Sequence, residues 1–557
     1  MIIYGVGMAL LSRIAERVLG LPPALTRDVQ VQQGLRVPMP DGVVLLADRY
    51  APRRVPGAPT ILIRTPYGRG GLTGAGLCRP FAERGYQVLV QSCRGTGGSG
   101  GRFDPFGHDR ADGLATLEWI EKQPWFAGNL LTFGPSYLGY AQWAMAPDAG
   151  DRITAMVPLL TASQFRDQTY LGDSYTLRGT LSWTALMAAR QDGPLQALRH
   201  RLWGRRRVLA AMGHLPLSEA DRLATGRRVE WFQQWLTATE RGHPYWEPER
   251  DHRARVGRVQ APVSMVAGWH DLFLVSQLED YAALRAAGRE PHLTIGPWVH
   301  SDRAALGAAM NEALVWFRAH VTGDRRALRA EPVRLYVQGA EEWRDYPCWP
   351  PPGAQAQHWY LQPGGALAPH SPATESASRF RYDPADPTPA VGGPLLDGKA
   401  AGRKDNAALE ARPDVLVFTS APLAAPLEVI GPVSARIELR SSRAHTDVFV
   451  RVCDVDPRGR SLNVCDGLQR VTPGRFPADA DGVRSVRVEL WPTAYRFRAG
   501  HRVRVQVSGG AFPRFARNPG TGEPLGEAVR LLPADQEVLH GPAHRSAVVL
   551  PVISRRR

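Results

Sequence analysis

Cysteine is one of the residues that this 557-residue sequence has little of. The chain has five cysteines, and no two of them form a Cys-x-x-Cys pair. An odd set without that spacing implies neither a disulfide framework nor a zinc ribbon, and it suits a reducing compartment. The five are Cys78, Cys93, Cys348, Cys453 and Cys465.

Long hydrophobic runs are also missing. No stretch reaches the ~20 apolar residues that a membrane-spanning helix needs. The sequence starts with the apolar run Met1 to Leu11, but Arg13 soon follows it, and no lysine or arginine precedes it as in a secretory signal. We therefore expect a cytoplasmic protein without a membrane partner.

Lysine is nearly absent, although the chain is strongly basic. Only Lys122, Lys399 and Lys404 are lysines among 68 basic residues, which outnumber 53 acidic ones and give a net charge of +15. Such a balance can indicate nucleic-acid binding. The arginine clusters Arg199–Arg207 and Arg555–Arg557 are short, however, and are not interleaved with an aromatic stacking motif. We interpret both as solvated surface and expect no nucleic-acid partner.

What the sequence does contain is a regular alternation of strand and helix patterns. Apolar strands are predicted at Thr60–Arg64, Gln87–Gln91 and Leu130–Phe133, and an amphipathic helix at Asp109–Lys122. Further strands are predicted at 153–160, 263–267, 292–295 and 333–337. Repeated units of this kind specify an α/β fold, with a parallel sheet covered by helices on both faces.

Two segments interrupt this alternation. Residues 163–255 carry helical patterns rich in tryptophan and arginine and no convincing strand, which predicts an inserted helical cap. From about residue 353 to 557, short alternating runs between proline and glycine turns predict a β-sandwich or jelly roll. The α/β domain is then split into residues 1–162 and 256–352. A chain of this length is expected to form two or three domains.

The sharpest local motif is the segment Phe133–Gly139. It places Ser136 on a tight turn between an apolar strand and a helix, as in a nucleophile elbow. The Gly-x-Ser-x-Gly pattern is imperfect, because Leu138 stands where the second glycine belongs and Gly139 comes one place later. A serine that only caps a helix is an equally good interpretation of this motif alone.

The order of polar residues along the chain favours catalysis. In the α/β-hydrolase fold an acid and then a histidine follow the nucleophile, each just after a later strand. Asp271 follows the strand at 263–267, and His300 follows the strand at 292–295. Parallel strands bring these ends to one edge of the sheet, so we expect Ser136, Asp271 and His300 to form a catalytic triad there.

An oxyanion hole should accompany the triad. The backbone N–H of Tyr137, which follows the nucleophile at the start of a helix, is the first candidate donor. The hydroxyl of Tyr67, just after the strand Thr60–Arg64, is the second. A tyrosine that merely packs at a strand end is at least as good an interpretation of Tyr67 on local grounds.

Two other patterns are rejected as cofactor or metal sites. The loop Gly95–Gly100 matches Gly-x-Gly-x-x-Gly, but no helix pattern opens after it, so dinucleotide binding is not expected. His270, Asp271 and His300 lack the His-Glu-x-x-His spacing and a third firm ligand for zinc. We expect no metal and no cofactor, and His270 to pack or to line the pocket.

Taken together, these motifs resemble a known family of serine hydrolases, which contains cocaine esterase, the α-amino-acid ester hydrolases and the X-Pro dipeptidyl-peptidases. The resemblance covers residues from about 30 to 550. In the α/β part it rests on Arg64–Gly68, Arg94–Gly101, Gly134–Gly139, Gly268–Asp271 and Gly296–His300. In the C-terminal part it rests on Val391–Pro394, Asp414–Ser420 and Asn463–Gly467.

The resemblance implies more than the motifs do alone. Members of the family follow the serine with Tyr-Leu-Gly, so Leu138 no longer counts against the elbow. The family also implies an oxyanion role for Tyr67, a helical cap over the pocket, and a jelly-roll domain like the C-terminal domain of X-Pro dipeptidyl-peptidases over residues 353–557.

The resemblance also guides the choice of substrate. In the α-amino-acid ester hydrolases, acids two and three places after the catalytic Asp hold the substrate ammonium group, and Phe273 and Leu274 occupy those places here. We therefore expect an apolar or aromatic acyl pocket at Phe273, with Trp269, Trp298 and an aromatic residue of the cap. Such a pocket favours hydrolysis of a carboxylic ester through an acyl-enzyme over aminopeptidase-like cleavage, with a small ester or peptide as substrate.

Several alternatives stay open. An X-Pro dipeptidyl-peptidase activity is one, since Asp167 or Asp173 of the cap could receive an amine. A non-catalytic binding protein on a hydrolase scaffold is another, because a fold alone does not determine function. The sequence leaves the oligomeric state open, with a homodimer as one arrangement.

Overall fold

The structure, a computed structural model, describes residues 11–553, apart from the side chains of Leu72 and Pro194. Nearly all of the apolar start and the cluster Arg555–Arg557 lie outside the described residues. Within the described range, no helix combines the length and the apolar character needed to cross a bilayer.

The first part of the chain supplies six strands of a large sheet. They are β1 (Val29–Pro38), β2 (Val44–Pro52), β3 (Thr60–Thr65), β4 (Gln87–Ser92), β5 (Leu130–Pro135) and β6 (Ala155–Leu159). Helices lie at residues 11–18, Gly71–Thr73, Arg79–Ala82, Asp109–Glu121 and Tyr137–Met145, with a π-helical segment at Gly74–Cys78 and a 3-10 turn at Ala146–Asp148. Strands β3, β4 and β6 are buried at every position, as in a sheet that helices cover on both faces.

The cap follows β6 and is mainly helical, as predicted. Its α-helices are Arg166–Thr169, Leu177–Gln191, Pro194–Arg199, Arg205–Met212, Ala220–Thr225 and Glu230–Thr237. A π-helical segment lies at His200–Gly204, and 3-10 segments lie at Leu217–Glu219 and Arg253–Arg258. Trp235 and Trp246 are fully buried in it, whereas Trp203 is exposed beside the arginines of the 199–207 cluster, which are exposed too.

The cap also contains a small hairpin that the sequence analysis did not predict. Strands β7 (Tyr170–Leu171) and β8 (Ser174–Tyr175) pair antiparallel across Gly172 and Asp173. Both turn residues have positive φ, 52° and 60°, as a two-residue type I′ turn requires. The Gly-Asp dipeptide was the available signal, but two-residue strands are too short to show an alternating pattern.

The second part of the α/β domain completes the sheet. It contributes β9 (Ser264–His270), β10 (His292–Val299), β11 (Val333–Val337) and β12 (Glu342–Tyr346), with helices Leu274–Ala286 and Arg303–Thr322. The strand order is β1-β2-β4-β3-β5-β6-β9-β10-β11-β12, and the pairs from β4 through β11 are parallel. The carboxyl ends of β5, β9 and β10 therefore lie at one edge, which confirms the predicted α/β-hydrolase architecture.

The C-terminal part is a separate β domain, and this prediction is also confirmed. Its strands are β13 (Ala354–Leu361), β14 (Ala366–Ala368), β15 (Ser376–Tyr382), β16 (Val415–Ser420), β17 (Leu427–Ser441), β18 (Thr446–Val455), β19 (Ser461–Val471), β20 (Val483–Phe497), β21 (Arg502–Ser508), β22 (Ala534–His540) and β23 (Ala547–Ile553). A 3-10 turn Pro363–Gly365 and a short helix Ala407–Glu410 join them. The domain boundaries at 162, 255 and 352 stay predictions.

Candidate active site

Ser136 occupies the turn between β5 and the helix Tyr137–Met145. Its backbone has φ 56° and ψ −125°, a region that costs a non-glycine residue about 1–3 kcal/mol. Four hydrogen bonds hold its backbone there. Its N–H donates to Leu159 O (2.9 Å), and its carbonyl accepts from Thr161 Oγ1 (2.7 Å) and from the N–H groups of Gly139 and Tyr140 (both 2.9 Å). A serine held in this way at a strained turn fits the nucleophile elbow better than a simple helix cap.

The glycines around Ser136 explain why the motif departs from Gly-x-Ser-x-Gly. A Cβ at Gly134 would lie 2.4 Å from Leu138 Cβ, and a Cβ at Gly139 would lie 2.4 Å from Thr161 Cγ2. Here the close approach that demands a glycine therefore falls at position 139, because Thr161 packs against the helix at that point. Leu138 is free to be a large residue, and it is buried.

The structure brings Ser136, His300 and Asp271 together. His300 Nε2 lies 3.1 Å from Ser136 Oγ, and His300 Nδ1 lies 2.6 Å from Asp271 Oδ2. The other oxygen of the Asp271 carboxylate accepts the N–H of Phe273 at 2.8 Å. Asp271 accepts the hydrogen bond of the His300 Nδ1–H. The Nε2 atom of a neutral His300 therefore has a free lone pair, which faces the Ser136 hydroxyl.

Tyr67 and Tyr137, the two predicted oxyanion donors, line the same cavity as Ser136. The N–H of Tyr137 lies at the start of its helix, where the first backbone donors have no partner within the helix. The hydroxyl oxygen of Tyr67 accepts a hydrogen bond from Trp183 Nε1 at 3.0 Å. Desolvation raises the pKa of Tyr67, against smaller lowering effects of Trp183, Arg190 and Ser136, so its hydroxyl keeps its proton at neutral pH.

A mostly apolar cavity opens over these groups. Its lining includes Ser136, His300, Tyr67 and Tyr137 of the predicted site. The remaining lining residues are Phe106, Tyr140, Thr161, Ala162, Phe165, Gln168, Thr176, Gly179, Thr180, Trp183, Leu272, Phe273 and Leu396. Among the residues that the structure describes, this lining contains no aspartate, glutamate, lysine or arginine, so the cavity suits an uncharged apolar group.

The predicted pocket residues separate into two groups. Phe273 lines the cavity, with its ring centroid 5.4 Å from that of His300. Trp269 and Trp298 do not line it, which corrects the expectation for both. Trp269 donates its Nε1–H to Tyr336 O at 2.7 Å, and the Trp298 ring lies 5.8 Å from that of Trp343. Both indoles thus pack towards the strands β11 and β12, away from the nucleophile.

The rest of the aromatic wall comes from other elements, among them the cap, where an aromatic pocket residue was expected without a position. Trp183 and Phe165 belong to the cap, and Phe106 belongs to the loop before the helix Asp109–Glu121. The Phe106 and Phe165 rings stack at 4.2 Å, and those of Phe106 and Trp183 at 5.9 Å. The sequence identified aromatic residues in the cap, but it carried no signal for which of them face the nucleophile.

The two carboxylates considered as amine receptors are paired elsewhere. Asp167 forms ion pairs with Arg166, Arg241 and Arg253, the last at 2.7 Å. Asp173 pairs with Arg475 of the β domain. Neither aspartate lines the cavity over Ser136.

His270 was expected either to pack or to line the pocket, and it packs. Its Nε2 atom lies 2.9 Å from Gln338 Oε1, and burial lowers the pKa of His270 to about 4, so the ring is neutral at physiological pH.

The loop Gly95–Gly100 is packed closely against neighbouring parts of the chain. A Cβ at Gly95 would lie 2.1 Å from Phe103 N, and Ser99 Oγ donates to Ser92 O at 2.9 Å.

Comparisons with known proteins agree with this architecture. Residues 41–302 match the family model of the X-Pro dipeptidyl-peptidases (S15 family), and residues 326–549 match the X-Pro dipeptidyl-peptidase C-terminal non-catalytic domain. The chain is 32% identical to the cocaine esterase of Rhodococcus sp. (strain MB1 Bresler), over 94% of this chain and 99% of that protein.

Solved structures share the fold at lower sequence identity. An aminopeptidase from a marine sediment archaeon, Thaumarchaeota archaeon, matches with a TM-score of 0.82 at 21% identity, covering 95% of this chain and 97% of its own. An α-amino acid ester hydrolase matches with a TM-score of 0.79, also at 21% identity, covering 96% and 98%. These two likenesses concern the fold alone.

Proposed function

Since the chain belongs to the X-Pro dipeptidyl-peptidase (S15) family of serine hydrolases, we propose that it cleaves carboxylic esters with an apolar or aromatic acyl group. Its family membership makes it an enzyme, so a non-catalytic binding protein is no longer a competing interpretation. The apolar lining of the cavity over Ser136, without any carboxylate, is the observation that carries the choice of ester.

The first half of the reaction forms an acyl-enzyme. His300 Nε2, 3.1 Å from Ser136 Oγ, takes the hydroxyl proton as the oxygen attacks the ester carbonyl. Asp271 holds the imidazole through Nδ1 and stabilises the imidazolium that forms. The C–O bond of the ester then breaks, and His300 returns the proton to the departing alcohol.

The developing oxyanion is stabilised by the N–H of Tyr137 and the O–H of Tyr67. Trp183 Nε1 donates to the Tyr67 oxygen, which leaves the phenolic proton available for the oxyanion. In the second half, His300 deprotonates a water molecule that attacks the acyl-enzyme. The bond between the acyl carbon and Ser136 Oγ then breaks, His300 returns the proton to Ser136 Oγ, and the carboxylic acid leaves. No step of this scheme uses a metal or an organic cofactor.

The acyl group fits against Phe273 and the cap aromatics. Phe273 borders His300, and Phe165 lies against Phe273 with ring centroids 6.4 Å apart. An aromatic acyl group placed there would bury its faces and edges against these rings. A charged ammonium group at the same place would lose its hydration without gaining a partner.

An X-Pro dipeptidyl-peptidase activity is the second candidate, favoured by the family model. It requires a carboxylate that receives the substrate's N-terminal amine. The carboxylate of Asp167 is already shared among three arginines, and Asp173 is paired with Arg475. This is why the ester is preferred.

A comparison of two chromogenic substrates tests the proposal. We expect a p-nitrophenyl ester of an aromatic acid to be turned over faster than a Gly-Pro p-nitroanilide, and Ser136→Ala to remove nearly all of both activities while the fold stays intact. Faster cleavage of the anilide would favour the peptidase. Undiminished ester hydrolysis by Ser136→Ala would refute the serine mechanism itself.

A further inference from the structure

A buried polar cluster lies directly behind the predicted oxyanion hole. It consists of Arg64 near the end of β3, Cys93 after β4, Asp109 at the start of its helix, and Tyr137 after the nucleophile, each at most 4% exposed. Burying a carboxylate and a guanidinium is costly, and replacing such a pair by apolar residues is often neutral or stabilising. The cluster therefore calls for an explanation besides stability.

Asp109 contacts each of the other three residues of this cluster. The Tyr137 hydroxyl donates to Asp109 Oδ2 at 2.6 Å, which is within the short range of hydrogen bonds to a carboxylate. The Cys93 thiol is 3.7 Å from the other carboxylate oxygen. Burial raises the pKa of Asp109, while the charge of Arg64 opposes that rise.

Tyr137 is held from a second side as well. Its hydroxyl oxygen accepts the backbone N–H of Phe106 at 3.0 Å, and the Phe106 ring stacks on its own ring at 4.7 Å. The hydroxyl thus has one donor and one acceptor in fixed positions. Because the side chain of Tyr137 cannot rotate without breaking both bonds, the peptide between Ser136 and Tyr137 is tied to the protein interior.

Arg64 links the same cluster to the other side of the oxyanion hole. Its Nη1 atom donates to the Asp109 carbonyl at 2.6 Å and lies 3.4 Å from Asp109 Oδ1, and its Nε atom donates to Gln91 at 2.9 Å. Arg64 precedes Tyr67 by three residues on the same strand end. One buried ion pair therefore connects the segments that carry both candidate oxyanion donors.

We propose that Asp109 is a positioning residue of the oxyanion hole, which acts through the Tyr137 hydroxyl to aim the Tyr137 N–H and through Arg64 to fix the strand end that leads to Tyr67. It does not touch the substrate. Its effect is to hold the strained Ser136–Tyr137 peptide in the geometry that the tetrahedral intermediate needs. This inference rests on the proposed function.

The test uses Tyr137→Phe, Asp109→Asn and the double variant, assayed with the p-nitrophenyl ester. A misplaced catalytic group can cost on the order of 100-fold in rate. We expect each single variant to lower kcat by at least about tenfold with KM changed less than about twofold, because the donor acts on the transition state and not on the bound ester. The double variant should be no slower than the slower single variant, since both changes break the same hydrogen bond between Tyr137 and Asp109.

Tyr170→Phe is the matched control. The Tyr170 hydroxyl is also buried and also donates one short hydrogen bond, to Trp235 O at 2.6 Å in the cap, but it does not touch the elbow. We expect it to lower Tm as Tyr137→Phe does and to leave kcat unchanged. If Asp109→Asn does not fold, Tyr137→Phe and its control still decide the matter.

The outcomes separate this inference from the proposed function. An inactive Ser136→Ala together with a Tyr137→Phe variant of normal kcat and lowered Tm would overturn the positioning role and leave the serine mechanism in place. Equal losses of kcat in Tyr137→Phe and Tyr170→Phe would overturn it too, because the effect would then be general destabilisation. Full activity of Ser136→Ala would instead overturn the proposed function.

Discussion

The two tyrosines that we propose for the oxyanion hole differ in what they contribute. Tyr137 offers a backbone N–H, which a side-chain substitution cannot remove, whereas Tyr67 offers its phenolic O–H. The Tyr67 oxygen accepts from Trp183 Nε1, and its backbone carbonyl accepts from Arg190 Nη1 at 2.7 Å. The cap thus holds both the hydroxyl and the backbone of Tyr67, and a change of this side chain can remove one donor cleanly.

The change Tyr67→Phe deletes this donor while keeping the ring. We expect kcat for the ester to fall by about 100 to 1000-fold, the usual effect of losing one oxyanion donor, with a small change in KM. Tyr86→Phe is the control, since Tyr86 is buried in the same domain and does not line the cavity. Steady-state kinetics of both variants check this, and a Tyr67→Phe enzyme with normal kcat would assign Tyr67 to packing.

The positions of Ser136, Asp271 and His300 were predictable because each follows a strand whose apolar run is visible in the sequence. The orientation of Trp269 and Trp298 was not. Those side chains lie next to the same strand ends, but they pack against Tyr336 and Trp343 of the later strands β11 and β12. Which side of a sheet a residue faces at an irregular strand end depends on neighbours that are distant in sequence.

At the level of whole elements, the elbow depends on how closely the helix Tyr137–Met145 approaches the chain after β6. Thr161 fills the space beside Gly139 and also donates to the Ser136 carbonyl. Thr161 therefore both packs against the helix and fixes the backbone of Ser136. Any side chain at position 139 has to displace Thr161 and, with it, the hydrogen bond to the nucleophile's own peptide.

The change Gly139→Ala tests this contact. Its Cβ would lie 2.4 Å from Thr161 Cγ2, so we expect the overpacking to cost about 1–3 kcal/mol of unfolding free energy and to lower kcat. Adding Thr161→Ser removes Cγ2 but leaves Cβ and Oγ1, which would lie 2.6 and 2.8 Å from the new Cβ, so we expect it to restore only a small part of both. Denaturant unfolding and ester kinetics measure the two effects.

Gly76→Ala provides the comparison. A Cβ at Gly76, in the helical segment Gly74–Cys78, meets nothing within 4 Å, and its φ is not positive. We expect this variant to keep the wild-type kcat. Equal behaviour of Gly139→Ala and Gly76→Ala would show that the approach of Thr161 is unimportant for the elbow.

Elements with long patterns were predictable, and those defined by tertiary contacts were not. The parallel strands and the helix at 109–121 follow from apolar runs and helical spacing. The hairpin β7–β8 is too short for any period. Asp109, with which the predicted helix begins, has a second role as the hydrogen-bond partner of Tyr137. That second role depends on the Tyr137 hydroxyl, 28 residues away in sequence, and a pattern of neighbouring residues cannot predict such a contact.

On the scale of the whole molecule, three parts of the chain meet around the nucleophile. The cap contributes Trp183, the α/β domain contributes the three residues of the proposed triad, and the β domain reaches Asp271 of that triad through β20. Trp491 Nε1 donates to the Asp271 carbonyl at 3.1 Å, and Trp491 is 5% exposed. The loop that orients His300 is therefore supported from outside its own domain.

The change Trp491→Phe removes this support and little else. We expect a loss of about 1 kcal/mol or somewhat more in unfolding free energy from the lost hydrogen bond and indole packing, together with a several-fold lower kcat. Trp359→Phe is the matched change within the β domain, because the Trp359 indole donates to Gln357 and does not reach the triad. It should lower stability without changing kcat, and a parallel fall in kcat for both variants would contradict a specific role of Trp491.

The hydrogen bond from Trp183 to Tyr67 has a consequence for substrate size. An acyl chain too bulky for the cavity has to push the indole outwards, and the phenol then loses the donor that oriented its lone pairs. Oversized esters would thus be bound and yet converted slowly. Discrimination between acyl lengths would therefore appear in the rate of acylation more than in the affinity for the ester.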